Sequence, residues 1–113
     1  MAQLRVRCSV VAARRYRPPR EWMAPQADWP SGRLTDDAPP YAVVTAAIVS
    51  RYQEVVGDRS LRSVARQAGI DATSLGRMLA GETVPDVHTL AVLEDAVATD
   101  LWPPRRDRRQ PST

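Results

Sequence analysis

The chain has no phenylalanine, no lysine, one cysteine, one histidine and only five glycines among 113 residues. Each shortage closes off something. With aromatics at 5% and hydrophobic residues at 43%, a core has to be aliphatic, built from Val, Leu, Ile and Ala. The single cysteine, Cys8, forms no internal disulfide, which fits a reducing, cytoplasmic compartment. The single histidine, His88, has no Cys or second His at ligand spacing, so no zinc site is readable. The glycines form no phosphate-cradling loop. The acidic pairs Asp36-Asp37 and Glu94-Asp95 read as cap and solvated-face residues. The expectation is a protein that is not an enzyme and needs no cofactor. The longest apolar run, Tyr41 to Val49, is broken by Thr45 and falls far short of the roughly 20 residues of a membrane span. Arg5 and Arg7 precede a short apolar patch, Cys8 to Ala13, but Arg14-Arg15 follows where a cleavage site would need small residues, so no signal peptide is expected. Every cation is an arginine, and the net charge of +3 is too mild to argue for nucleic acid by itself.

What is present divides the chain into three. Residues 1–39 form a Pro/Arg-rich arm, and residues 1–40 hold six of the ten prolines and seven of the sixteen arginines. Residues 40–102 read as a packed domain, with Pro85 its only proline after Pro40. Residues 103–113 open on Pro103-Pro104 and read as a disordered basic tail. Within the arm, Leu4, Val6, Cys8 and Val10 alternate with Arg5, Arg7 and Ser9 in a strand-like way. One strand is not stable alone. It either pairs in a dimer or belongs to a disordered arm, and a start of translation at Met23 is a third reading.

The middle segment has helical spacing. Pro39-Pro40 suits a first helical turn, and Val44, Ala47, Ile48, Tyr52 and Val55 follow at that period, with Gly57 as the stop. Ser60 caps a second helix, Leu61 to Ala68, which Gly69 breaks. Asp71 caps a third, Ala72 to Ala80, ended by Gly81. Asp86 caps a fourth, with Val87, Leu90, Leu93 and Val97 on one face. Leu101 and Trp102 are expected to fold back and close the core.

Residues 60–81 meet several constraints at once. Ala65 is small where two helices cross closely. Four residues on, Gly69 supplies a left-handed turn conformation that other residues resist. Val64, Ala68, Ile70, Leu75 and Met78 fall where the inner faces of both helices are buried. Asp71 caps the second of the pair so that its N-terminal end faces outward.

On Val64-Ala65, Gly69-Ile70, Leu75, Met78, the Gly81-x-x-x-Pro85 bend and the Thr89-Leu90…Leu93 helix, the chain resembles the lambda-repressor-like helix-turn-helix family, also called the XRE family. With the helix in front of them, these features cover roughly 60 of 113 residues. The resemblance implies an all-α fold: a compact domain of four to five helices carrying an irregular N-terminal arm and a basic C-terminal tail. It also implies a sequence-specific transcriptional regulator of double-stranded DNA, a repressor acting in the nucleoid, in a family that often forms homodimers. One position departs from the pattern. Many members carry Gln just after the first cap, where Leu61 stands here, so Ser60 or Arg62 has to supply that backbone anchor.

Charge agrees with such a docking face. Residues 41–104 carry five Arg against eight Asp and Glu, whereas residues 57–81 carry four Arg against two Asp. Arg59, Arg62 and Arg66 are therefore expected near phosphates. On the helix 72–80 the outward residues are Ala72, Thr73, Ser74, Gly76 and Arg77. Arg77 matches the O6/N7 edge of guanine, or else makes a phosphate contact or a surface salt bridge. Thr73 and Ser74 bond bases or phosphates, or serve as caps. Ala72 meets a thymine methyl or is simply a good helix former. Gly76 costs about 1 kcal/mol inside a helix, which points to close packing more than to close approach to the groove. The basic clusters Arg14, Arg15, Arg17, Arg20 and Arg105, Arg106, Arg108, Arg109 either track phosphates or are ordinary soluble ends. Trp22 and Trp29 read as pins holding the arm to the domain. The competing reading is a protein-interaction module, an antitoxin or adaptor, working through the acidic fourth helix and the Trp-bearing arm. It predicts a protein partner and no membrane.

Overall fold

The computed structural model describes residues 16–108, and within them there are four α-helices and no strand. The strand-like alternation at residues 4–10 and the cations Arg14, Arg15 and Arg109 lie outside the described residues. Helix α1 is Pro40–Val55, α2 is Leu61–Ala68, α3 is Ala72–Leu79 and α4 is Val87–Val97, flanked by short 3-10 helices at Pro19–Trp22 and Arg105–Asp107.

The caps lie where side-chain chemistry puts them. Ser60 Oγ accepts from the Ser63 amide at 3.1 Å, Asp71 from Ser74 at 2.9 Å and Asp86 from Thr89 at 2.7 Å. Each satisfies one amide that the helix start leaves without a partner. Helices α2 and α3 end in the same way. Gly69 takes φ +74° and Gly81 φ +79°. The amides of Gly69 and Ile70 turn back to the carbonyls of Arg66 and Ala65, and those of Gly81 and Glu82 to Met78 and Arg77. These are Schellman closures, which a residue with a β-carbon adopts only with strain. Only the three residues 69–71 connect α2 to α3.

The main core joins Val44, Ile48 and Tyr52 of α1, Val64 and Ala65 of α2, Leu75 and Met78 of α3, Leu93, Ala96 and Val97 of α4, and Leu101. Ala68 and Ile70 pack against it half-buried. Thr45 is buried at 1% exposure inside this aliphatic setting. It is tolerated because its hydroxyl donates to the Tyr41 carbonyl at 2.7 Å.

Helix α1 is buried on a second side as well. Ala42 and Ala46 form a smaller cluster with Leu34, covered by Trp22, Met23, Trp29, Ala38 and Tyr41. The described part of the N-terminal arm is thus a packed layer over α1. It has little regular structure beyond its 3-10 turn and a single antiparallel bridge between Met23 and Leu34. The two tryptophans do pin it: Trp22 Nε1 donates to Tyr41 Oη and Trp29 Nε1 to the Leu79 carbonyl, both at 2.9 Å.

The C-terminal end differs from expectation in two respects. Leu101 closes the core at 1% exposure, but Trp102 is turned outward at 48%. Both their amides donate to one carboxylate oxygen of Glu94, at 2.7 and 3.0 Å, which fixes the backbone and leaves the indole outside. The segment after it begins as an ordered one, with Pro103 buried and the Arg108 guanidinium lying 5.1 Å from the centre of the Trp102 ring.

Candidate nucleic-acid interface

A basic face is made by the start of α2 and the outward side of α3. Arg62 and Arg66 are one helical turn apart on α2, and Thr73 and Arg77 one turn apart on α3, so each pair shares a side of its helix. All four are exposed. The two helices meet on this side at Leu61: a β-carbon placed on Gly76 would lie 3.8 Å from Leu61 Cδ1.

The arginines divide into two sets. Arg17, Arg20, Arg33 and Arg51 pair with Glu21, Glu82, Asp36 and Glu54. Arg59 is also occupied. Its Nη1 donates to the Ala96 carbonyl at 2.9 Å and to Gln67 at 3.2 Å, filling one of the carbonyls that the end of α4 leaves open. Arg59 was expected near phosphate; in the folded chain it ties the α1–α2 connection to α4. Arg62, Arg66 and Arg77 form no salt bridge and no side-chain hydrogen bond among the described residues. Three guanidinium groups thus stand in water on two successive helices.

The polar side chains nearby are more constrained than the sequence suggests. Ser60 is used as a cap. Ser74 donates its hydroxyl to Asp71 at 3.2 Å, besides giving its amide to the same carboxylate. Thr73 keeps a free, exposed hydroxyl. Ala72 is half-buried against the core. Gly76 is not demanded by packing, since the space a methyl would take meets nothing nearer than Leu61 at 3.8 Å. This corrects the expectation that close helix packing explains it.

Sequence reasoning missed what lies behind this face. The Trp29 ring and the Arg20 side chain lie against Gly81, where a β-carbon would come within 2.7 and 2.8 Å of them. The Arg20 amide also donates to the Gly81 carbonyl at 3.0 Å. The arm therefore grips the C-terminal end of α3 and sets its position. The Gly81-x-x-x-Pro85 spacing marked the bend, but nothing in the sequence marked Trp29 as its neighbour.

Two titratable groups among the described residues are shifted. Burial pushes the Tyr52 phenol above its ordinary 10.0, and nearby Arg59 opposes that shift. Asp86 is held below the ordinary carboxylate range, first by the hydrogen bond from the Thr89 amide and then by the Thr89 side chain. Neither group belongs to a reactive cluster, and no set of His, Cys, Asp and Glu among the described residues could hold a metal ion.

A second surface lies elsewhere. An open groove of about 1380 Å³ runs between α1, the bend before α4 and the C-terminal segment, over Val44, Ile48 and Leu90. Tyr16, Val87 and Trp102 line it and are 56%, 84% and 48% exposed. These are three of the four exposed large hydrophobic residues among those described, the fourth being Leu61. Among the described residues, no helix is long and apolar enough to cross a membrane.

Compared with known proteins, the chain matches no family model, no characterised protein and no solved structure.

Proposed function

We propose that this chain is a sequence-specific DNA-binding transcriptional regulator that lays α3 in the major groove and represses by occupying a promoter. The observation that carries the reading is the set of unpaired arginines Arg62, Arg66 and Arg77 on two short helices joined by a three-residue turn. Most other described arginines are already engaged. Unpaired exposed guanidinium groups are what neutralisation of phosphates requires. Arg77 is the candidate for a bidentate contact to guanine, with Arg62 and Arg66 beside phosphates. The resemblance of residues 60–102 to the lambda-repressor-like family supports the same docking, including a homodimer on a two-fold operator.

The test is selection from a random duplex pool with the full chain at two salt concentrations. The expected result is an enriched motif, and loss of its enrichment on Arg77→Ala in a variant that still folds. Weak binding with no motif, falling steeply with salt, would reduce the interface to non-specific charge.

A second reading, an antitoxin or adaptor working through protein contacts, is favoured by the apolar groove lined by Tyr16, Val87 and Trp102. Its working surface is then this groove, because Trp22 and Trp29 spend their indole N–H groups inside the fold. A partner retained by Arg77→Ala but released by Val87→Glu would establish it.

A further inference from the structure

We infer that the interface distinguishes A·T pairs chiefly through the thymine 5-methyl group, sensed by the apolar spot that Leu61 and the methyl of Thr73 make beside Gly76. The inference rests on the DNA-reading proposed above and names what that face would recognise.

Helices α2 and α3 offer a base edge few polar groups that could read it. Adenine is read by a side-chain amide that donates and accepts together. Residues 72–80 contain no Asn or Gln, and on α2 the only amide is Gln67, held by Arg59. Cytosine is read by a free carboxylate. The only carboxylate adjoining α3 at its start is Asp71, which accepts both the amide and the hydroxyl of Ser74. Arg77 remains for guanine. Leu61 is 37% exposed and makes no part of either core cluster. Its Cδ1 sits over the glycine in the middle of α3. Thr73, one turn before Arg77, presents a methyl together with its hydroxyl.

Leu61, at the start of α2 where the two helices meet, leaves part of its apolar surface in water. In a major groove its natural counterpart is the one apolar group there, the methyl on C5 of thymine. Gly76 adds to the fit, since it places no side chain of its own between Leu61 and the groove wall. The hydroxyl of Thr73 is free to bond a neighbouring base or phosphate, so its methyl and its hydroxyl have separable roles.

The experiment compares a duplex enriched by selection with the same duplex carrying deoxyuridine in place of every thymidine, which removes only the methyl groups. The wild-type chain is expected to bind the uracil duplex about fourfold more weakly for each methyl it covers, the value of one buried carbon. Leu61→Ala and Thr73→Ser, the latter keeping the hydroxyl, are expected to shrink that ratio. Both are to leave the salt dependence and the helical circular dichroism unchanged, because neither residue carries charge or sits in the core. Equal binding of the two duplexes overturns the inference, as does an enriched motif without thymine. Failure to enrich any duplex overturns the DNA-reading itself, which is a different result from an enriched duplex that tolerates uracil.

Discussion

Trp29 donates its indole N–H to the carbonyl of Leu79, the last residue of α3, across 50 positions of sequence and 2.9 Å of space. The same ring lies over Gly81, whose φ of +79° and whose lack of a β-carbon are both required there. The orientation of the outward helix is thereby set by a segment that a domain boundary at residue 40 would place outside the domain.

Gly81→Ala is accordingly expected to destabilise strongly. A positive φ on a residue with a β-carbon costs about 1–3 kcal/mol, and the added methyl must displace Trp29 or Arg20 in addition. Trp29→Phe, which keeps the apolar ring and loses the donor, is expected to cost about 1 kcal/mol. Urea denaturation of the two variants checks both values, and near-wild-type stability in Gly81→Ala would show that the arm does not grip α3 as described.

Gly76→Ala should act in the opposite direction on stability. The new methyl meets only Leu61, at 3.8 Å, and helix propensity favours alanine by about 1 kcal/mol. If α3 enters the groove, the same methyl stands between the helix and the bases and weakens binding. A variant with a raised melting temperature and reduced DNA affinity is the expected outcome. Raised stability with unchanged affinity would remove Gly76 from the interface.

Arg59 and its neighbours are expected to separate cleanly. Arg59→Ala loses its bond to the Ala96 carbonyl, a charge-assisted contact worth about 1.5–3 kcal/mol. It also loses the positive charge that holds down the Tyr52 phenol, so that phenol should titrate still higher. Arg62→Ala and Arg66→Ala should leave stability within about 0.5 kcal/mol. Each should lower the salt slope of DNA binding by about one unit. A large stability loss from Arg62→Ala would mean that its side chain is employed inside the fold.

The pH profile follows from two groups shifted in opposite senses. Asp86 has a depressed pKa in the folded chain, so its contribution is present above its unfolded value and lost as pH falls through the folded one, in the window below about pH 4. Tyr52 has a raised pKa, so its contribution is complete below its unfolded value and is lost as pH rises from about 10 toward the folded one. Asp86→Asn, which retains the cap but cannot ionise, should lose part of the acid limb, as read by urea denaturation between pH 2.5 and 5 at fixed ionic strength. An unaltered acid limb in that variant would show that Asp86 plays no part in it.

The chain's own residues determined where its helices begin and end. Ser60, Asp71 and Asp86 act on amides three residues away, and Gly69 and Gly81 act on the turn they occupy, so their signals are local and survive in a string of letters. The apolar period of α2, α3 and α4 likewise announced Val64, Leu75, Met78, Leu93 and Val97 as core. Tertiary structure decided the rest, because the deciding partners are distant along the chain. That Arg59 reaches the end of α4 depends on Ala96, 37 residues later. Leu101 and Trp102 are both apolar and adjacent, and only the Glu94 carboxylate on their amides sends one inward and the other out. The arm looked separable because its prolines and its lack of period hide any regular element. Trp22 and Trp29 stood out as pins, but the groups they reach, Tyr41 Oη and the Leu79 carbonyl, and the burial of Leu34 against α1 are contacts for which a sequence carries no spacing.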